Sequence, residues 1–127
     1  MPDATPKWIL VADDDPIIRE VWTATLTRAG YRVGAASTGR EALAVMRDVV
    51  PDLVVLDLRM PEMSGDEFLR ALLGTSIPVL VVSSFVEDHA RELRARRFNV
   101  VGVFDKLVGL DEFMRAVEAA LASPPRP

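Results

Sequence analysis

The sequence predicts an α/β fold: a doubly wound, five-stranded parallel sheet in the flavodoxin-like order 2-1-3-4-5, with helices on both faces. Short apolar runs alternate along the chain with longer segments whose apolar residues recur at helical spacing. The runs are continuous rather than alternating, as expected of strands covered on both faces. Strand–helix alternation with right-handed crossovers leaves few strand orders, and this one sets strands one and three side by side at a topological switch point.

Each element has its own signal. Trp8-Ile9-Leu10-Val11-Ala12 is too short for a helix and reads as a buried strand, ending in Asp13-Asp14-Asp15. Pro16 suits a first helical turn with Asp15 as N-cap. Ile18, Val21, Trp22 and Leu26 then form an apolar stripe that Gly30 ends. Tyr31 to Ala36 is the second strand. Thr38-Gly39-Arg40-Glu41 fits a capping box, and Leu43, Met46 and Val49 stripe the second helix, closed by Pro51.

Leu53-Val54-Val55-Leu56 is the third strand, ending abruptly in Asp57 and followed by a Pro-containing loop. Ser64-Gly65-Asp66-Glu67 is a second capping-box pattern, with Phe68, Leu69, Leu72 and Leu73 facing inward. Ile77 to Val82 is the fourth strand, its Pro78 near the start where a missing donor is tolerated. Ser83-Ser84 follow. Glu87 to Phe98 reads as a charged fourth helix and Val100 to Phe104 as strand five, with Lys106 just beyond. Leu110, Phe113, Met114, Val117 and Leu121 stripe the last helix. Residues 1–6 read as a loose leader, 7–122 as one domain and 123–127 as a Pro-rich tail that cannot continue a helix.

Composition narrows the function classes. A chain of 127 residues, half apolar and 27% charged, is large enough for one core without staples. Its net charge of −4 offers no general attraction to nucleic acid or anionic membrane. The absence of cysteine removes disulfides, thiolate chemistry and cysteine metal sites. No secretory pattern opens the chain and no apolar run is long enough to span a bilayer, so the expectation is a soluble cytoplasmic protein.

The predicted topology delivers Asp13 and Asp14 from strand one, Asp57 from strand three, Ser83 from strand four and Lys106 from strand five to one edge of the sheet. Singly these are weak signals. An Asp after a strand is as often a turn former, Ser83 a cap, and Lys106 a surface lysine. Together they describe a site. Clustered carboxylates in a cleft call for a compensating cation. Carboxylates with open water positions suit Mg²⁺, where zinc would want His or Cys. A metal beside a carboxylate nucleophile points to phosphoryl transfer through an aspartyl phosphate, with Asp57 the nucleophile and Asp13 and Asp14 metal ligands.

The segments Ile9-Leu10-Val11-Ala12-Asp13-Asp14-Asp15-Pro16, Asp57-Leu58-Arg59-Met60-Pro61-Glu62-Met63-Ser64-Gly65 and Pro78-Val79-Leu80-Val81-Val82-Ser83 resemble the receiver domain of two-component response regulators, over about Lys7 to Ala122. The resemblance implies that Asp57 accepts a phosphoryl group from a histidine kinase or histidine phosphotransfer protein to control a downstream protein target. It implies Mg²⁺ held by Asp13, Asp14, Asp57 and the Arg59 backbone carbonyl, with Ser83 as switch hydroxyl and Lys106 as phosphate-binding lysine. At most the protein would phosphorylate and dephosphorylate itself, so a metabolic enzyme is not expected.

Two positions depart from the family pattern. Lys106 is followed by Leu107 where the family has Pro after a cis bond; a non-proline cis bond costs about 2.5–4 kcal/mol, so a trans bond and a rearranged loop are expected. Val103 stands at the usual switch-aromatic position, and alternation sends Phe104 to the other face. These departures motivate an alternative, a pseudo-receiver that binds partners without phosphorylation. A third class, a small Mg²⁺-dependent phosphatase, would want a carboxylate two residues after the nucleophile, and that residue is Arg59. His89 reads as a solvated residue. The basic run Arg91, Arg94, Arg96 and Arg97, set against Asp111, Glu112 and Glu118, reads as a solvated face or as a homodimer surface of helix four, strand five and helix five. A stand-alone regulator and a piece of a longer one would look alike.

Overall fold

The computed structural model describes residues 6–60, 63, 65–83 and 99–122. Its elements are β1 (Trp8–Ala12), α1 (Pro16–Arg28), β2 (Arg32–Ala36), α2 (Gly39–Asp48), β3 (Leu53–Leu56), α3 (Gly65–Ala71), β4 (Val79–Ser83), β5 (Val100–Asp105) and α4 (Leu110–Ala122). All strand pairs are parallel, in the order β2-β1-β3-β4-β5. Fold class and strand order are those expected. The charged segment 87–98 and the Ser64 capping box lie outside the described residues. Among the described residues no helix is long and apolar enough to cross a membrane.

Local chemistry sets the helix starts. Asp15 Oδ1 accepts from the amides of Ile17 at 2.9 Å and Ile18 at 3.4 Å, capping α1 as expected. Gly30, at φ 98°, takes the left-handed turn that ends it. Thr38 Oγ1 caps α2 through the Glu41 amide at 3.0 Å. The other half of that capping box differs: the Glu41 carboxylate accepts the Ser37 hydroxyl at 3.2 Å. Ser37, four residues before Glu41, brings an O–H within reach of that carboxylate.

The two sheet faces bury separate layers. Leu10, Val54, Leu56, Val79 and Val81 pack with Ala42, Phe68 and Leu69 under α2 and α3. Ile9, Val11, Leu53, Val55, Leu80 and Val82 pack with Trp22, Leu26, Phe113 and Val117 under α1 and α4. The period-two alternation of a strand thus feeds both layers from one apolar run. Trp22 and Phe113 stack at 5.3 Å between ring centres and 15° between planes, joining α1 to α4.

Some inward assignments do not hold. Val21 is 42% exposed, because Trp22 and Leu26 fill the contact with the sheet and leave Val21 on the flank. Val49 is exposed because α2 ends at Asp48 and Val49 is already extended, at φ −138° and ψ 125°. Leu73 lies past the end of α3 and is exposed in the following turn, and Leu110 is exposed at the first position of α4. Helical spacing applies only inside a helix. At the far edge of the sheet, Asn99 adopts φ 63° and donates its side-chain amide to the Thr75 carbonyl at 2.6 Å, while its own carbonyl accepts from Val79.

Candidate functional site

Register brings the acidic residues together. Ala12 lies opposite Leu56, so the next residues, Asp13 and Asp57, leave the sheet at the same level. The ladder continues one step beyond the strands, with Asp57 N donating to the Ala12 carbonyl at 2.9 Å and Asp13 N to the Ala36 carbonyl at 3.0 Å. Both carboxylates are buried, at 0% and 2% exposure, and Asp14 beside them is exposed. One carboxylate oxygen from each of Asp13, Asp14 and Asp57 lies within 4.8 Å of the others.

Lys106 arrives from the other side. β4 and β5 pair through Ser83 opposite Asp105, so Lys106 follows directly at the sheet edge. Its ammonium stands 3.0 Å from Asp57 Oδ2 and 3.2 Å from each oxygen of Asp13. Asp57 Oδ1 accepts the Arg59 amide at 3.0 Å, and Asp13 Oδ1 accepts the Asp15 amide at 2.8 Å. The turn after Lys106 is held by Asp105, whose carboxylate accepts from Leu107 N at 2.7 Å and whose carbonyl accepts from Val108 N at 2.9 Å.

The electrostatics follow from burial against pairing. Burial pushes the Asp57 carboxyl up to about 6, with the Asp13 charge adding to it and the Arg59 amide and Lys106 opposing. Burial likewise raises Asp13, against the Asp15 amide and the Lys106 charge. For Lys106 burial works to lower the value, but its bonds to Asp57 and Asp13 and their charges outweigh it, and the ammonium is held above its ordinary range. One ammonium pairs with two of three clustered carboxylates, so the pocket keeps excess negative potential at neutral pH.

That donor set fits a hard divalent cation. Asp13 Oδ2 is buried and, although near the ammonium, has no hydrogen-bond partner among the described residues. An unshared carboxylate oxygen beside two further carboxylates, with one side open to water, suits octahedral Mg²⁺.

The expected residues are thus distributed plainly. Asp13, Asp14, Asp57 and Lys106 converge as the topology predicted, and Arg59 sits in the turn that its amide closes on Asp57. Ser83 ends β4 at the same edge, but its hydroxyl lies outside the described part of the chain. The Lys106–Leu107 bond is trans, there being no cis peptide among the described residues, and Leu107 is 93% exposed. Val103 and Phe104 pack against opposite layers, as alternation required. His89 and the basic run Arg91 to Arg97 fall outside the described residues. Sequence reasoning missed Asp105, whose signal was an Asp two residues before a loop amide, and Arg19, whose guanidinium donates to the Asp13 carbonyl at 2.7 Å.

Fold and site together define an α/β domain with an acidic, lysine-bridged pocket at the carboxyl ends of its central strands. The model of the response regulator receiver domain matches residues 9–118, and the chain belongs to that family. It is 36% identical over 113 residues to the transcriptional regulatory protein KdpE of Mycobacterium tuberculosis, covering 89% of this chain and 50% of KdpE. It is 34% identical over 118 residues to the regulatory protein AtoC of Escherichia coli, with 89% and 25% covered. The chain therefore spans half or less of these relatives' length. Among solved structures, the non-phosphorylated HemR receiver domain of Leptospira biflexa superposes with a TM-score of 0.85 at 30% identity, covering 97% of this chain and 98% of that one. The chemotaxis response regulator CheY4 of Vibrio cholerae gives 0.83 at 28% identity, covering 92% and 100%.

Proposed function

We propose that this chain is a phosphoacceptor switch in which Asp57 takes a phosphoryl group from the phosphohistidine of a histidine kinase or histidine phosphotransfer protein and thereby controls a downstream protein. The observation that carries the reading is the clustering of three carboxylates within 4.8 Å of one another, two of them bridged by the Lys106 ammonium, 3.0 Å from Asp57.

In the transfer an Asp57 carboxylate oxygen attacks phosphorus, the P–N bond to the imidazole breaks, and the imidazole leaves as an acyl phosphate forms. Asp57 must be ionised to attack; with its carboxyl at about 6, it is largely so at neutral pH. The Arg59 amide holds one oxygen and fixes the rotamer, leaving the other to Lys106 and the incoming group. The ammonium then has a new partner in the phosphoryl oxygens, which draws it from its bridge between Asp13 and Asp57. Mg²⁺, held by Asp13, Asp14, Asp57 and the Arg59 carbonyl, would neutralise charge on the transferring group. Ser83, at the end of β4, supplies the hydroxyl that follows the phosphoryl group. Residues 7–122 form the working domain, acting in the cytoplasm without direct contact to nucleic acid or membrane.

Val103 and Leu107 favour a second reading, a partner-binding module indifferent to phosphorylation, because the aromatic and the Pro of the usual readout are both replaced. The two are separated by incubating the protein with Mg²⁺ and phosphoramidate, a small P–N donor, and measuring intact mass. One added phosphoryl group, absent in Asp57→Asn, is expected; no adduct at any donor concentration favours the second reading.

A further inference from the structure

Asp13 and Asp57 are each held by a backbone amide and by Lys106, but Asp14 is not. Among the described residues no donor reaches the Asp14 carboxylate, and it is the exposed member of the three. Its place within 4.8 Å of the other carboxylates must then be set through its backbone. The peptide that precedes Asp14 carries the Asp13 carbonyl, and Arg19 Nη1 donates to that oxygen at 2.7 Å. The Arg19 amide also donates to the Asp15 carbonyl at 2.9 Å. That second bond is the ordinary main-chain bond of the first helical turn; it fixes where Arg19 starts, and the side chain alone reaches back to the acidic loop.

We infer that Arg19 is a positioning residue for the divalent cation: by fixing the Asp13–Asp14 peptide plane it keeps the Asp14 carboxylate at the pocket. The bond is charge-assisted and short, so it resists rotation of that peptide better than a neutral contact would. Outer partners of this kind act on affinity by orienting a ligand they do not themselves replace.

The inference rests on the Mg²⁺-dependent reading of the pocket, and two opposed effects make it testable. Removing a positive charge beside three carboxylates should tighten cation binding by Coulomb attraction alone. Losing the peptide anchor should weaken it. If Arg19 positions Asp14, Arg19→Ala weakens Mg²⁺ binding by about tenfold, the lower end of what such partners contribute, measured by titration calorimetry. Arg19→Lys, which keeps the charge and one donor, recovers part of the loss. Phosphorylation of Arg19→Ala by phosphoramidate should be slow at low Mg²⁺ and return to the wild-type rate at saturating Mg²⁺, a recovery that general damage to the fold would not give. Unchanged or tighter Mg²⁺ binding in Arg19→Ala overturns the inference while leaving the pocket's function intact. No Mg²⁺ binding by the wild-type protein overturns the reading beneath it, and the inference falls with it.

Discussion

Asp13 and Asp57 follow strands in which every residue from Ile9 to Ala12 and from Leu53 to Leu56 is fully buried. Lys106 follows β5, in which no residue is buried and Val101 is 47% exposed. The register between β1 and β3 is unbroken, whereas that between β4 and β5 slips between Val79 and Leu80. The acidic half of the pocket is therefore fixed by the core, and the cationic half hangs on an edge strand and the turn built by Asp105. Rigid presentation suits the nucleophile proposed above, which must attack phosphorus in line, and a cation carried on an edge strand suits a group that must change partners.

The difference can be broken first at its base. Leu56→Ala should cost about 2–5 kcal/mol, since it leaves a cavity beneath Asp57, whereas Val101→Ala should cost at most about 1 kcal/mol. Urea denaturation measures both, and comparable losses would erase the contrast.

Lys106→Met comes next. It leaves two buried carboxylates facing each other without a cation, at a loss of roughly 1–3 kcal/mol at pH 7, below the full value for a buried pair because the carboxylates can take up a proton instead. The loss should therefore be smaller at pH 5 than at pH 8.

The pH dependence of the wild type sharpens the same point. Asp57 titrates near 6 in the folded chain, above its ordinary 3.8, so between those values the folded state keeps a proton that the unfolded chain has lost. Stability without Mg²⁺ should then fall as pH rises through that window, by roughly 1–3 kcal/mol. Mg²⁺ should flatten the fall, and Asp57→Asn should remove it; thermal melts with EDTA and with Mg²⁺ read both.

An effect smaller than those at Leu56 and Lys106 is expected where β5 begins. Asn99→Ala should cost about 1–2 kcal/mol, from the positive φ and the lost bond to Thr75. Asn99→Gly, which accepts that φ, should cost less.

How much of this was legible in the sequence follows the same division. Strand order, the Asp15 and Thr38 caps and the convergence of Asp13, Asp14, Asp57 and Lys106 came from local pattern plus topology, because unbroken apolar runs leave the chain little choice. Val21, Val49 and Leu73 were misplaced because spacing alone does not reveal where Trp22 takes up the contact or where a helix stops. Arg19 and Asp105 were invisible because their roles are single side-chain bonds to backbone, which no periodicity signals. The Trp22–Phe113 stack, 91 positions apart in sequence, was equally out of reach. The departures at Val103 and Leu107 were legible, and both the trans bond and the opposite facing of Phe104 agree with them.

Asp57 is the proposed acceptor, and the most direct test is to locate the phosphoryl group chemically. Phosphorylated protein is reduced with borohydride, which converts an aspartyl phosphate to homoserine, and the product is mapped by peptide mass. Homoserine at position 57 alone is the predicted result. Reduction at Asp13 or Asp14 instead, or no reduced residue in protein that carries the added mass, would contradict it.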